Sequence, residues 1–113
     1  MRSYIIGGCA FLLLSMSVGC RSQKQVKDDL LRQGANSYVA GDFNAAAEAK
    51  KKLVDMDPTN MTAQFDLAMT LKQANRNPEA ITVFNKVVAS KKEPYASLSA
   101  KMIGYLNAKQ QPK

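Results

Sequence analysis

No histidine and no tryptophan occur among the 113 residues, cysteine appears twice, and acidic side chains number 9 against 16 Lys and Arg. The first absence removes imidazole, the side chain that most often acts as a general base and the commonest metal ligand. Acid–base or nucleophilic chemistry would then fall to carboxylates, Lys, Tyr or Ser. The carboxylates Asp28, Asp29, Asp42, Glu48, Asp55, Asp57, Asp66, Glu79 and Glu93 are scattered. No pair forms a recognisable catalytic motif, no Gly-rich phosphate loop is present, and no cluster has metal-ligand spacing. The chain is therefore expected to be no enzyme and to use neither metal nor cofactor. Its net charge of +7 lacks the aromatic-interleaved basic patch of a nucleic-acid binder, so no nucleic acid is expected as partner.

Long apolar runs are also missing. Tyr4 to Val18 follows Arg2, contains Gly7 and Gly8, and ends in Ser17, Val18 and Gly19 before Cys20. A spanning helix needs about 20 apolar residues. A positive start, a short apolar stretch and small residues at its end read instead as a secretory signal. The segment resembles a bacterial lipoprotein signal, whose cut is followed by a cysteine that receives a diacylglycerol. Val18 and Gly19 fit the lipobox, and Ser17 stands where an aliphatic residue is usual. The resemblance implies a signal peptide over 1–19 and lipidation at Cys20; the alternative is an uncleaved N-terminal anchor. Ile6-Gly7-Gly8-Cys9 has similar letters but precedes any completed hydrophobic region.

Cleavage at Cys20 would leave 94 residues with net charge +6 and one cysteine, which is lipidated, so no disulfide is expected. In such lipoproteins Asp after the lipidated Cys favours the inner membrane. Arg21 implies the outer membrane, facing the periplasm, with the nearby basic residues Lys24 and Lys27 set to meet anionic head groups. An exported chain would also not meet nucleic acid.

What the mature part does have is a period. A shift of 34 residues carries Gly34 onto Ala68, Ala46 onto Ala80, Leu53 onto Val87 and Asn60 onto Pro94. Fixed self-similarity of about this length, each unit a helix-turn-helix, marks a tetratricopeptide array, and the segment resembles the tetratricopeptide-repeat (TPR) family. The signature positions are Gly34, the Gly41-Asp42-Phe43 turn, Ala46, Leu53 and Pro58 in one unit (27–60). Leu67, Ala68, Leu71, Ala80, Phe84 and Val87 carry it in the next (61–94). Ser37 and Lys50 stand where the family usually has aromatics. Tyr38 and Phe43 are placed to repack the gap, and the Lys50 stem is expected to lie along the interface with its amine escaping to water.

Apolar and small residues at three-to-four spacing predict helices over about 28–39, 43–56, 61–74 and 77–90. Gly41 closes the first, Asp42 caps the second, and Asn60 or Thr59 caps the third. Asn77 is expected as the cap of the fourth, with Pro78 at its first position. Residues 20–26 read as lipidated Cys and polar tether. Residues 95–109 form a fifth helix with Tyr95, Leu98, Met102, Tyr105 and Leu106 on one face, followed by a short tail over 110–113. Three repeats are normally needed for a stable array, so this helix is read as the cap that makes two sufficient. The fold class is all-α, a right-handed solenoid fragment.

In the TPR family, partner peptides usually lie on the concave face lined by the first helix of each unit. By resemblance that face is Asp28, Leu31, Ala35, Tyr38 and Val39, then Thr62, Phe65, Met69, Lys72 and Gln73, then Ser99, Ile103 and Leu106. Leu31, Tyr38, Phe65, Met69 and Ile103 form an apolar stripe on it, which reads either as a contact surface or as packing between neighbouring first helices. With Lys72 they make the candidate partner-binding groove. Some co-chaperone relatives grip a C-terminal carboxylate with Lys and Asn in the first helix; Leu31 and Ala35 stand there, which disfavours that ligand. The basic runs Lys50-Lys51-Lys52 and Lys91-Lys92 read as solvated faces. The function implied is a membrane-anchored periplasmic adaptor for a protein or peptide partner, resembling assembly factors of pilus, secretion or outer-membrane machines. The alternative is a homo-oligomer whose repeats stack between protomers.

Overall fold

Five helices follow one another in the computed structural model, which describes residues 22–110: α1 (Gln23–Val39), α2 (Phe43–Met56), α3 (Met61–Gln73), α4 (Asn77–Ser90) and α5 (Tyr95–Gln110). The signal segment, Cys20 and Arg21 lie outside the described residues. Each helix packs on its chain neighbours, and α3 also touches α5. Among the described residues no helix is long and apolar enough to cross a membrane.

Local chemistry sets the boundaries. The Ser22 hydroxyl accepts from the Gln25 N–H at 3.2 Å, so α1 starts at Gln23 and the residues expected to be tether form its first turn. Asp42 and Asn60 accept from the N–H groups of Ala45 and Ala63, each at 3.1 Å, which satisfies donors the helix itself leaves free. The period reaches into the turns. Gly41 and its counterpart Asn75 both take positive φ, 83° and 61°. The N–H of each following residue, Asp42 or Arg76, then donates to a carbonyl in the last turn of the helix just ended, Ser37 or Leu71, at 2.9 Å. That closure corrects one expectation: Arg76, with no side-chain cap bond, occupies the cap position of α4, and Asn77 is already helical.

Small residues let the helices close up. Ala46, Ala47, Ala68 and Ala80 are each wholly buried, and Leu67, Leu71, Phe84 and Leu106 complete the core around them. Phe65 meets Phe84 edge-on at 5.8 Å and Tyr95 at 5.4 Å, tying α3 to α4 and to the start of α5.

Of the face expected to turn inward on the last helix, Leu106 is buried and Met102 packs on the core, but the rest is partly displaced outward. Ala96, Ser99 and Leu106 are buried, while Leu98 and Tyr105 are 42% and 54% exposed. Two rows of side chains at helical spacing compete for the core, 95-98-102-105 and 96-99-103-106. The second contains the small residues Ala96 and Ser99, which permit the closer approach to α4. Ser99 and Leu106 are therefore core residues and line no groove. The Ser99 hydroxyl has no partner among the described residues.

Truncation of Phe84 to Ala is expected to cost about 3 to 5 kcal/mol, whereas Ser99→Ala is expected to be neutral or to stabilise by up to about 1 kcal/mol, since it removes an unpaired buried hydroxyl. Urea denaturation followed by circular dichroism measures both.

Candidate functional site

The repeats do not pack uniformly. The backbones of α3 and α5 touch, whereas α1 and α3 make no comparable approach. Their seam is held from α2 by Lys50. Its amine donates to Asp66 Oδ1 at 3.0 Å and Thr70 Oγ1 at 2.9 Å, both on α3, and lies 4.9 Å from the centre of the Tyr38 ring on α1. Only 14% of the Lys50 side chain is exposed, against 59% for Asp66.

This overturns the expectation that the amine escapes to water. The stem does lie in the interface, where a Cβ placed on Gly34 would meet Lys50 Cγ at 3.6 Å and Ala49 Cβ at 3.7 Å. Both are ordinary contact distances, so the lysine stem packs closely against Gly34 where the family usually has an aromatic. Tyr38 packs edge-on against Phe43 at 5.0 Å, filling the remaining gap as expected.

On one side of Lys50 the seam opens into a cavity of about 440 Å³, lined mainly by apolar atoms of Leu31, Leu53, Phe65 and Met69, with Lys27, Asp57 and Asp66 at its polar margin. On the other side lies a shallower concavity of about 400 Å³ between Ala35, Tyr38, Val39 and Met69. Lys50, Asp66 and Met69 border both and divide them. Leu31 and Tyr38 are 51% and 38% exposed, and Phe65 and Met69 are half-buried.

Four of the six candidate groove residues, Leu31, Tyr38, Phe65 and Met69, are thus brought to one seam. The other two are placed elsewhere. Lys72 lies toward α5, its amine 5.9 Å from the centre of the Tyr105 ring. Ile103 packs against the core. The site also takes residues from α2, Lys50 and Leu53, which a reading confined to first helices does not supply. Lys24 and Lys27 stand on α1 beside a third, open concavity with Leu53, Met56 and Asp57.

A second polar cluster crosses the repeats. Arg76 donates to Glu79 at 2.7 and 2.8 Å and to Glu48 on α2 at 3.0 Å, and Lys51 lies 3.7 Å from Glu79. The hydrogen bonds from Arg76 hold the Glu79 carboxyl below its ordinary pKa, and the two carboxylates hold the guanidinium above its own. Arg76 and Glu79 are three apart on the helix entry, a readable pair; Glu48 is 28 residues away and carried no signal. Among the described residues no group of three or more His, Cys, Asp or Glu is arranged to hold a metal.

A family model described as a tetratricopeptide repeat matches residues 39–102, more than half of the chain, from the end of α1 into α5. No curated protein and no solved structure matches.

Lys50→Ala, which removes the stem against Gly34 and Tyr38, is expected to cost about 2 to 3 kcal/mol. Lys50→Met, which keeps the stem and removes only the amine, is expected to cost about 1 kcal/mol, and urea denaturation distinguishes them. For the Arg76 cluster the depressed Glu79 pKa fixes the sign: its stabilisation is complete above the unfolded value and is lost as pH falls through the folded one. The gap in melting temperature between wild type and Arg76→Gln should hold from neutral pH to about pH 5 and close below the ordinary glutamate value of about 4.3.

Proposed function

The chain belongs to the tetratricopeptide-repeat family, and on that premise we propose that it is a lipid-anchored adaptor of the bacterial envelope that holds a protein partner in the seam between α1 and α3. The family is in general a non-catalytic protein-interaction repeat, and an interaction role follows from membership. The observation that carries the site is the apolar cavity at that seam, edged by half-exposed Leu31. Its size falls in the range that receives a few side chains of an extended or helical ligand.

The anchor rests on Cys20 after its short apolar segment. With α1 beginning at Gln23, a lipid on Cys20 would hold the first repeat against the bilayer, with Arg21, Lys24 and Lys27 attracted to anionic head groups by about 1 kcal/mol each. Arg21 favours the outer membrane, facing the periplasm, and assembly or scaffolding of an envelope complex of the pilus, secretion or outer-membrane type suits such a placement. Self-association between protomers is the competing reading; Val39, 87% exposed at the end of α1, is the observation in its favour. Light scattering on the full chain in detergent decides between them, since a strict monomer removes it.

Leu31→Asp is expected to leave helicity unchanged, because the side chain is half exposed, and to weaken partner binding by at least about tenfold. Unaltered binding would move the site elsewhere. Phe65 is a poorer choice for this test, since it also packs on Phe84 and Tyr95. Cys20→Ser is expected to release the protein from the membrane fraction; unchanged fractionation would favour an uncleaved anchor.

A further inference from the structure

The 34-residue period reveals a second surface. In α3 the row Gln64, Leu67, Ala68 and Leu71 is buried, the last three in a cluster with Ala80 and Phe84 of α4. Carried forward by one period, that row becomes Leu98, Lys101, Met102 and Tyr105 on α5. Leu98, Lys101 and Tyr105 are exposed and Met102 is half-buried. The helix therefore turns outward the face its counterpart uses to receive the second helix of a repeat, and no helix among the described residues covers it.

Charge identifies what fits there. From Ala80 to Lys109 the chain carries five lysines, at 86, 91, 92, 101 and 109, and one carboxylate, Glu93. Glu93 is already committed, accepting from the Ser97 hydroxyl at 2.8 Å and the Ser97 N–H at 3.2 Å. Tyr105 is flanked by the amines of Lys72 and Lys109, 5.9 and 5.8 Å from its ring centre. Lys101 occupies the place equivalent to the apolar Leu67. An incoming helix thus meets two apolar contacts, Leu98 and Tyr105, with Lys101 in the same row and the amines of Lys72 and Lys109 beside the Tyr105 ring.

We propose that the outward face of α5 docks an acidic amphipathic helix of a protein partner, which completes a third repeat from outside the chain. This surface is distinct from the seam between α1 and α3, and the two stand or fall separately.

The test uses a fluorescent synthetic peptide with the sequence Asn77–Ser90 carrying Lys86→Glu, because α4 is the helix seen against the equivalent row. Fluorescence anisotropy against the full chain in detergent is expected to give saturable binding that weakens as salt is raised and that is weaker for the same peptide with its native lysine. The pair Leu98→Glu and Tyr105→Glu, both at exposed positions, and separately Lys101→Glu, are expected to lower affinity by at least about tenfold and by several-fold. Their circular-dichroism melting curves should match wild type. Leu31→Asp should leave peptide binding unchanged. No saturable binding, equal affinity in the Leu98/Tyr105 variant, or loss with Leu31→Asp would overturn the proposal. So would dimerisation of the full chain abolished by the Leu98/Tyr105 pair, which would assign the face to a second copy.

Discussion

Everything in this array depends on how closely two helices of a hairpin approach, and four alanines decide it. Ala46, Ala47, Ala68 and Ala80 have no exposed surface, and a larger side chain at any of them would push its hairpin apart. Close approach brings Phe84 and Leu71 into the same core as Leu106 of α5. In a chain this small, burying enough apolar area is the main difficulty. The buried cluster is accordingly centred on α3 and α4, with Ala47 and Val54 from α2, Leu106 from α5 and no member from α1.

The first repeat is attached differently. Where the second has apolar rows on both sides of α3, the first offers Gly34, Ser37 and Lys50. The seam between the repeats is closed by a lysine amine shared between a carboxylate, a hydroxyl and an aromatic face. A polar tie of this kind contributes less than an apolar row of the same length, since ion pairing with an exposed partner such as Asp66 is screened by water. What it leaves is space. The cavity lined by Leu31, Leu53, Phe65 and Met69 lies beside that tie, with Lys50 on its wall, so the irregular position of the repeat and the candidate site adjoin.

Helix number, order and most boundaries were legible in the sequence because they rest on local signals: capping Asp42 and Asn60, left-handed Gly41, and Pro58 and Pro78 as punctuation. Most signature residues reached the interior for the same reason, as their spacing is local and periodic; Leu53 instead is half-buried on the cavity wall and Pro58 is exposed in the turn. The destination of the Lys50 amine was not legible, since Asp66 and Thr70 lie 16 and 20 residues downstream and only the fold brings them near. The same holds for Glu48 and Arg76. In α5 the pattern was only partly legible: of the expected face, Leu106 is buried and Met102 packs on the core, whereas Leu98 and Tyr105 are exposed and the small residues Ala96 and Ser99 are buried in their place.

The account's central claim is that the seam between α1 and α3 receives a protein. Site-specific photo-crosslinking in intact cells tests it most directly, with the crosslinking side chain placed in turn at Leu31, at Met69 and at Thr82, an exposed position on α4 outside the seam. The account predicts one and the same protein adduct from Leu31 and Met69 and none from Thr82. Adducts of equal yield from all three positions, or adducts from Thr82 alone, would contradict it.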